Sequence, residues 1–283
     1  MIKPQWLIKP TVKFSGARRV REQAQSDGLN TVCSSARCPN MGECFQNGVA
    51  TFLILGDKCS RDCRFCAIDH ASLGGIVDPD EPDKVAKAAL SLGLKHIVIT
   101  SVTRDDLPDG GAEVFAMTIA KLREFLPGSP VEVLTPDFQG RAGSIDTVVA
   151  AAPDVYNHNI ETVPQLYETV RPLASYTRSL NLLKRVKQMA PSIVTKSGIM
   201  LGFGETKEQV LRTMKDLRDI DCDILTIGQY LQPSKKNLPV VEYIRPEVFD
   251  EYADTGMKSG FKKVFAGPFV RSSYHAGEVF ASF

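Results

Sequence analysis

The sequence lacks long apolar runs and lacks an excess of charge of either sign. None of its hydrophobic stretches approaches the roughly 18 residues that a membrane-spanning helix needs. The 283 residues carry a formal net charge of only +1. These two absences argue against a membrane protein, and they give no electrostatic reason to expect binding of nucleic acid or of a membrane surface.

The first ten residues, MIKPQWLIKP, lack the charged and then apolar layout of a secretory signal peptide. They are also too short for an obvious transit peptide, so we expect a cytoplasmic protein. Low-complexity linkers and internal repeats are absent as well. With 43% hydrophobic residues the chain can bury a sizeable core, and its length suits one large domain with short appendages.

What the sequence does contain is an alternation of short apolar runs with stretches of helical periodicity. The predicted strands cover residues 51–55, 97–102, 131–135, 154–158, 193–201, 223–230 and 263–266. Apolar stripes with helical spacing run through residues 85–92, 115–122, 182–189 and 210–217. Such repeated strand–helix units predict an α/β fold in which helices cover a parallel sheet and ligands bind at the C-terminal ends of the strands.

About six units of this kind suit a partial (β/α)6-type TIM barrel, and a doubly wound open sheet is the alternative. The barrel is expected over residues 51–266. Residues 1–50 lack the alternation and are predicted to form an N-terminal extension, ordered in part by whatever its cysteines bind. Residues 267–283 are also irregular and are expected to form a C-terminal segment.

The seven cysteines are strongly clustered. Six of them lie within the 34 residues from Cys33 to Cys66, and the seventh is Cys222. In a chain of this size without a signal peptide, this density indicates metal binding rather than disulfides. Cys222 comes just before a predicted strand and is expected to be a buried core thiol.

Cys59, Cys63 and Cys66 form the first cysteine group, in the segment LGDKCSRDCRFCAIDH. They follow the first predicted strand, with three and then two residues between them. Three thiolates this close in sequence can bind three irons of a four-iron cluster and leave the fourth iron open for catalysis. Two alternatives remain, namely a structural zinc site completed by Asp69 or His70, and a structural cluster closed by a distant cysteine.

Cys33, Cys38 and Cys44 form the second cysteine group, in the segment TVCSSARCPNMGECF. Four and then five residues separate them. Three neighbouring thiolates again predict a metal site, which would need a fourth ligand from elsewhere in the chain. From the spacing alone, a second iron–sulfur cluster and a structural zinc knuckle fit about equally well.

The segment CSRDCRFC resembles the signature of the radical S-adenosylmethionine (SAM) superfamily. The two cysteine groups together resemble those of the lipoyl synthase family, and the resemblance extends over essentially the whole chain. Further matching blocks are KPQWL at 3–7, ATFLILG at 50–56, VTRDDLPDGG at 102–111, NHNIET at 157–162, KSGIMLG at 196–202, GQYLQPS at 228–234 and RSSYHA at 271–276.

The resemblance implies an enzyme, a sulfurtransferase that inserts two sulfur atoms, at C6 and C8, into an octanoyl chain on a lysine of a carrier protein. The implied cofactors are SAM and two 4Fe-4S clusters. The cluster of the first cysteine group would be catalytic and would generate a 5′-deoxyadenosyl radical for each C–H bond. The auxiliary cluster, held by the second group on the N-terminal extension, would be consumed as the sulfur donor.

The resemblance also implies roles for residues of the C-terminal segment. The fourth ligand of the auxiliary cluster would be a serine, for which Ser273 is favoured and Ser272 is the alternative. A serine oxygen is a harder ligand for iron than a thiolate and suits a cluster that must release iron. Arg271 beside them would cover the auxiliary cluster or steer the substrate.

Five residues are expected to contact SAM: Phe65, Thr103, Asn159, Glu161 and Lys196. Glu161 would hydrogen-bond the ribose hydroxyls, and Lys196 would pair with the methionine carboxylate. The run GIMLGFGE, which begins at Gly198, resembles a strand motif that packs on adenine. The alternatives are a structural turn at Thr103 and an ion-pair network among the other polar residues.

The implied chemistry requires three kinds of partner. They are an octanoylated lipoyl carrier domain or H protein, a low-potential electron donor such as ferredoxin or flavodoxin, and an iron–sulfur cluster delivery protein. Nucleic acid and membrane partners are not expected.

The rival functions are a biotin-synthase-like or electron-relaying radical SAM enzyme, an electron carrier, and a zinc-stabilised binding module. The second cysteine group and the RSSYHA block argue against the other radical SAM enzymes. Metal analysis would distinguish the zinc-stabilised module from an iron–sulfur enzyme.

Overall fold

The computed structural model describes residues 3–8, 28–32, 40, 43–44, 49–71, 74–273 and 276–277. Cys33 and Cys38 of the second cysteine group lie outside the described residues. The described residues fall into two compact units. With the gaps just given, the first unit contains residues 28–61, 68–156 and 273–277, and the second contains residues 3–8, 62–67 and 157–272.

The first unit is built on a mainly parallel sheet. Its strands are β1 (Asn30–Thr31), β2 (Val49–Ile54), β3 (Lys58–Cys59), β4 (Asp69–His70), β5 (His96–Ser101), β6 (Val131–Leu134) and β7 (Val155–Asn157). β2, β5, β6 and β7 lie side by side in chain order, and β2 with β5 and β5 with β6 pair in parallel. β1 pairs antiparallel with β2, while β3 and β4 form a separate two-stranded ribbon.

The helices of the first unit are α1 (Glu81–Ser91), α2 (Ala112–Phe125) and α3 (Ala142–Ala150). Pro82 lies in the first turn of α1, where the missing N–H costs no hydrogen bond. α1 packs against α2. The buried faces include Val85 and Ala89 of α1 and Phe115 and Ile119 of α2, at the spacing that places side chains on one side of a helix.

β2 leads directly into the segment that carries the first cysteine group. All six residues of β2 are buried, as expected for a strand of a parallel sheet that is covered on both faces. The chain then turns at Leu55 and Gly56, which both have positive φ angles. The Glu81 carboxylate accepts a hydrogen bond from Leu55 N at 2.8 Å and stabilises this turn. Residues 57–66, which follow, are called the cysteine loop below.

The second unit continues the alternation of strands and helices. It contains α4 (Tyr167–Val170), α5 (Tyr176–Met189), β8 (Val194–Leu201), α6 (Lys207–Arg218), β9 (Ile224–Gln229), α7 (Pro246–Lys258) and β10 (Lys263–Gly267). β8, β9 and β10 are parallel neighbours in chain order. α6 begins with a capping box in which Thr206 and Gln209 each accept a hydrogen bond from the other's main-chain N–H.

The structure contains every strand that the sequence predicts, with bounds that differ by at most two residues. The four apolar stripes lie on α1, α2, α5 and α6. Met189, at the end of the third stripe, is 45% exposed because α5 ends there. Among the described strands, the order shows no reversal within either unit, whereas a doubly wound sheet reverses its order at a switch point.

No helix in the described part of the chain combines the length and the apolar character that crossing a membrane requires.

Gly111 tests how the start of α2 is packed. It has a φ of 90°, which glycine adopts without strain, and a Cβ at this position would collide with the Leu55 side chain. Gly128 has a φ of 86°, but a Cβ on Gly128 would point into open space. We expect Gly111→Ala to lower the free energy of unfolding by about 3 kcal/mol and Gly128→Ala by about 1 kcal/mol, because only the first adds overpacking to backbone strain. Urea denaturation measures both, and equal losses would contradict a role for the Leu55 contact.

Candidate active site

Cys59 is a half-buried thiol at the end of β3 whose sulfur accepts two main-chain hydrogen bonds. The amide nitrogens of Arg61 and Thr103 each lie 3.4 Å from Cys59 Sγ. In iron–sulfur proteins, hydrogen bonds to the ligand sulfurs tune the cluster. The surroundings of Cys59 therefore suit an iron ligand.

The Arg61 guanidinium is buried between two carboxylates. Its Nε and Nη2 donate to Asp105 Oδ2 and Oδ1 at 2.6 and 2.9 Å, and Nη2 also donates to Asp137 Oδ1 at 2.6 Å. The side chains of Arg61 and Asp137 are only 5% and 1% exposed. Charges buried this deeply must be paired. Because Asp105 follows β5 and Asp137 follows β6, these ion pairs anchor residues 57–61, the first part of the cysteine loop, at the C-terminal ends of both strands.

Ser60 adds a second set of contacts between the cysteine loop and the residues after β5. Ser60 N and Oγ donate to Thr103 O at 2.9 and 3.0 Å, and Ser60 Oγ accepts from Asp105 N at 3.0 Å. The main chain of Thr103, a predicted SAM contact, therefore bonds to the loop through both its N–H and its carbonyl. Only the Thr103 side chain could contact a ligand.

The rest of the cysteine loop is held by contacts within the second unit. Cys66 N donates to Cys63 O at 2.9 Å in a tight turn, and the Asn237 side-chain amide donates to Cys66 O at 2.7 Å. Phe65 packs edge-on against Phe203, with 6.4 Å between the ring centroids. Cys63 and Cys66 are thus held in a fixed turn, and both are half-buried.

The described residues contain no group of three or more His, Cys, Asp or Glu side chains arranged to hold a single metal ion. The zinc alternative required Asp69 or His70 as fourth ligand. The Asp69 carboxylate lies 3.1 Å from Lys58 Nζ, in an exposed ion pair. A four-iron cluster makes a different demand, because each of its cysteines binds a different iron.

Asn159 and Glu161, both predicted SAM contacts, lie together with Ser272 in the second unit. Asn159 Nδ2 donates to Glu161 Oε1 at 3.1 Å and to Ser272 Oγ at 2.6 Å. Asn159 Oδ1 is buried and has no hydrogen-bond partner among the described residues. A buried acceptor without a donor costs free energy. Asn159 therefore presents an acceptor suited to a hydroxyl group of a ligand.

Gly198 of β8 lies directly beside this acceptor. A Cβ on Gly198 would lie 2.6 Å from Thr226 Oγ1, 2.9 Å from Asn159 Oδ1 and 3.2 Å from Ser272 Oγ. Three polar side chains thus converge on a position where only glycine fits. We refer to Asn159, Glu161, Thr226 and Ser272, with Gly198 between them, as the polar cradle.

Glu161 has the strained main chain that binding sites often contain. Its φ of 70° lies in the left-handed region, and two 2.8 Å hydrogen bonds to the main chain of β8 hold it there, from Glu161 N to Gly198 O and from Met200 N to Glu161 O. Burial raises the pKa of the Glu161 carboxyl, although the nearby Arg171 guanidinium opposes this effect. Backbone strain and an incompletely stabilised carboxylate together mark Glu161 as a candidate binding residue.

Three other residues from the sequence analysis lie in the second unit. Lys196, a predicted SAM contact, is completely buried on β8. Arg271 is half-buried, and its Nη1 donates to Val270 O at 2.6 Å. Cys222 is completely buried, as predicted for a core thiol, and burial raises the pKa of this thiol to about 12.

Two residues that the sequence predicts as ligands of an auxiliary cluster, Cys44 and Ser273, are described, and both lie in the first unit. Cys44 is half-buried and packs against an apolar cluster formed by Val49, Val98 and Ala276. Ser273, the predicted serine ligand, accepts a hydrogen bond from Ala276 N at its carbonyl, at 3.4 Å. The C-terminal segment and Cys44 therefore meet at one apolar cluster.

Several residues that hold the cysteine loop were not singled out from the sequence. Arg61 and Asp105 lie inside motif blocks, so a weak signal for them exists. Asp137 follows a strand, and Asn237 lies in a polar loop, where neither residue type is unusual. Their partners are far away in sequence, so no local pattern identifies them.

The comparisons with known proteins agree with these observations. Residues 53–217, more than half of the chain, match the family model of the radical SAM superfamily. A lipoyl synthase of Caldanaerobacter subterraneus subsp. tengcongensis is 58% identical over 274 residues, which cover 97% of this chain and 95% of the relative. A lipoyl synthase of Rubrobacter xylanophilus is 52% identical over 276 residues, which cover 98% of this chain and 86% of the relative.

Solved structures share the fold at low sequence identity. Methylornithine synthase (PylB) has a TM-score of 0.56 and 14% identity, over 89% of this chain and 75% of that chain. Streptococcus suis SuiB bound to S-adenosylmethionine has a TM-score of 0.60 and 10% identity, over 80% of this chain and 52% of that chain. These matches confirm the predicted α/β fold with a parallel sheet and are consistent with a partial TIM barrel.

The Arg61 ion pairs are expected to dominate the stability of the cysteine loop. Arg61→Met should lower the free energy of unfolding by about 3–5 kcal/mol, because it removes the guanidinium that balances the charge of the buried Asp137 carboxylate. Arg64→Met on the same loop is the matched control, since Arg64 is exposed, and it should change stability by less than about 0.5 kcal/mol. Adding Asp137→Asn to Arg61→Met should recover part of the loss. Equal stabilities of the two arginine variants in urea would contradict this view.

Proposed function

The chain belongs to the lipoyl synthase family of the radical SAM superfamily, and we propose that its cysteine loop carries the catalytic iron–sulfur cluster. It is an enzyme with the activity of that family, the insertion of two sulfur atoms at C6 and C8 of a protein-bound octanoyl-lysine. The product is the lipoyl group. The assignment of individual residues to this reaction is our proposal.

Cys59, Cys63 and Cys66 would hold a 4Fe-4S cluster with one iron left open for SAM. When bound, the cluster supplies the electron that cleaves SAM to methionine and a 5′-deoxyadenosyl radical, which removes hydrogen from the octanoyl chain. The observation that carries this proposal is the pair of main-chain N–H groups on Cys59 Sγ, because such hydrogen bonds hold a cluster ligand in position and tune the cluster. The ion pairs of Arg61 keep both donors in position.

The polar cradle would bind the ribose of SAM. Asn159 Oδ1 lacks a donor among the described residues, and Glu161 brings a second acceptor beside it, so the two residues suit a pair of ribose hydroxyls. Gly198 allows the side chains of Asn159, Thr226 and Ser272 to converge beside β8. Phe65, Thr103 and Lys196 remain predicted SAM contacts on the basis of the family resemblance.

The second cysteine group would hold an auxiliary 4Fe-4S cluster, with Ser273 as its fourth ligand, and this cluster would donate the sulfur. Two observations support this proposal. Cys44 packs on the same apolar cluster as Ala276, three residues after Ser273. The Ser272 hydroxyl is already bonded to Asn159, which favours Ser273 as the ligand. Arg271 would then lie at the edge of the auxiliary site.

The partners of the reaction follow from its chemistry. The substrate would be an octanoylated lipoyl carrier domain or H protein. A low-potential donor such as ferredoxin or flavodoxin would supply electrons, and a delivery protein would rebuild the auxiliary cluster after it has lost sulfur. We expect the reaction to take place in the cytoplasm.

Cys59→Ala tests the catalytic cluster. After anaerobic reconstitution, the variant should bind about four fewer irons per chain and form no 5′-deoxyadenosine from SAM, because the cluster loses one of its three ligands. Cys222→Ala is the matched control, since this cysteine is a core residue, and it should keep both properties. Iron analysis and chromatography provide the measurements. Continued 5′-deoxyadenosine formation by Cys59→Ala would overturn the assignment.

Cys38→Ala tests the separate role of the auxiliary cluster. The variant should still cleave SAM but should form no lipoyl product from an octanoyl-lysyl peptide, because the sulfur donor is missing while the catalytic cluster remains. Mass spectrometry of the peptide after turnover with dithionite measures the product. A lipoyl peptide made by Cys38→Ala would rule out sulfur donation by the second cysteine group.

A further inference from the structure

We propose that Ser272 is a positioning residue that holds the Asn159 amide in place, in the orientation that Glu161 selects, and thereby links residues 268–273 to the SAM site. The proposal rests on the function given above, in which Asn159 and Glu161 bind the ribose of SAM. It concerns Ser272 alone, whose hydroxyl lies 2.6 Å from Asn159 Nδ2.

The hydrogen bonds of Asn159 determine which way its amide faces. The Nδ2 group has two hydrogens, and its two bonds use both, one to Glu161 Oε1 at 3.1 Å and one to Ser272 Oγ at 2.6 Å. The Glu161 carboxylate only accepts hydrogen bonds when it is ionised. A flipped amide would therefore place Asn159 Oδ1 against a carboxylate oxygen.

The same two bonds leave Asn159 Oδ1 as an acceptor for a ligand. This oxygen is buried, Asn159 is 9% exposed, and no described residue donates to it. It lies beside Gly198, where a Cβ would collide with Thr226 Oγ1 and Asn159 Oδ1. A donor that fills the acceptor must come from outside the polar cradle, as a ribose hydroxyl would.

The shorter of the two bonds comes from a residue distant in the chain. Ser272 lies 113 positions after Asn159, in the block that also contains the proposed auxiliary ligand Ser273. Since Ser273 directly follows Ser272, a change in the placement of one shifts the main chain of the other. SAM binding should therefore protect the main chain of residues 268–273, and by thermodynamic linkage the bond of Ser272 to Asn159 should strengthen SAM binding.

The affinity for SAM tests the role of the Ser272 hydroxyl. In anaerobically reconstituted protein, Ser272→Ala should raise the Kd for SAM about three- to tenfold, the loss expected for one hydrogen bond. Ser272→Thr, which keeps the hydroxyl, should restore most of the affinity. Ser259→Ala is the matched control, because the Ser259 hydroxyl bonds only within the end of α7, at 2.7 Å to Thr255 O. A Kd for Ser272→Ala equal to that of the control would overturn the proposal.

A double-mutant cycle tests whether Ser272 acts through Asn159. If it does, adding Ser272→Ala to Asn159→Ala should change the Kd no further, whereas a purely structural effect of Ser272 would add to that of Asn159. Additive losses would overturn the positioning role. A wild-type protein that binds no SAM would instead refute the proposed SAM site, so the two failures are distinguishable.

Amide hydrogen exchange tests the link to the C-terminal segment. SAM should slow exchange across residues 268–273 in the wild-type protein and should have little effect there in Ser272→Ala at saturating SAM. Equal protection of both proteins by SAM, or protection of neither, would overturn the link.

Discussion

The buried ion pairs of Arg61 with Asp105 and Asp137 are the constraint on which the cysteine loop depends. A guanidinium that is almost completely buried requires both carboxylates, and each carboxylate sits just beyond a strand of the parallel sheet. Residues 57–61 of the loop therefore have one position relative to those strands. With that position fixed, the amides of Arg61 and Thr103 point at Cys59 Sγ. The need to pair a buried charge therefore also sets the position of a cysteine that can bind iron.

The second unit shows the opposite situation, in which some polar groups lack a full set of hydrogen-bond partners among the described residues. Glu161 has a strained main chain, partial burial raises the pKa of its carboxyl, and Asn159 Oδ1 has no donor among the described residues. Each feature costs stability, and the strand contacts of β8 compensate for part of that cost. Backbone strain and unsatisfied polar groups near Gly198 lower the stability of the free protein. A ligand that satisfies these polar groups gains binding free energy from them.

Much of the fold could be predicted because its strands are buried on both faces and read as apolar runs, as β2 and β9 do. The strands β1, β3 and β4 escaped prediction, since two residues carry no periodicity and their pairing depends on partners elsewhere. The cysteines were predictable from spacing, because ligands of one cluster must lie close together. Asp137 and Asn237 were not, because a single polar residue in a loop has many ordinary explanations.

By itself, the sequence determined the chemistry available to this protein: six clustered thiols, the order of its strands and helices, and its family. Only the tertiary structure decided which groups act together. Arg61 meets Asp137 across 76 positions, and Asn159 meets Ser272 across 113. The physical reason is that hydrogen bonds and ion pairs depend on distances in space, and these distances are set only when the strands pair and bring their ends together.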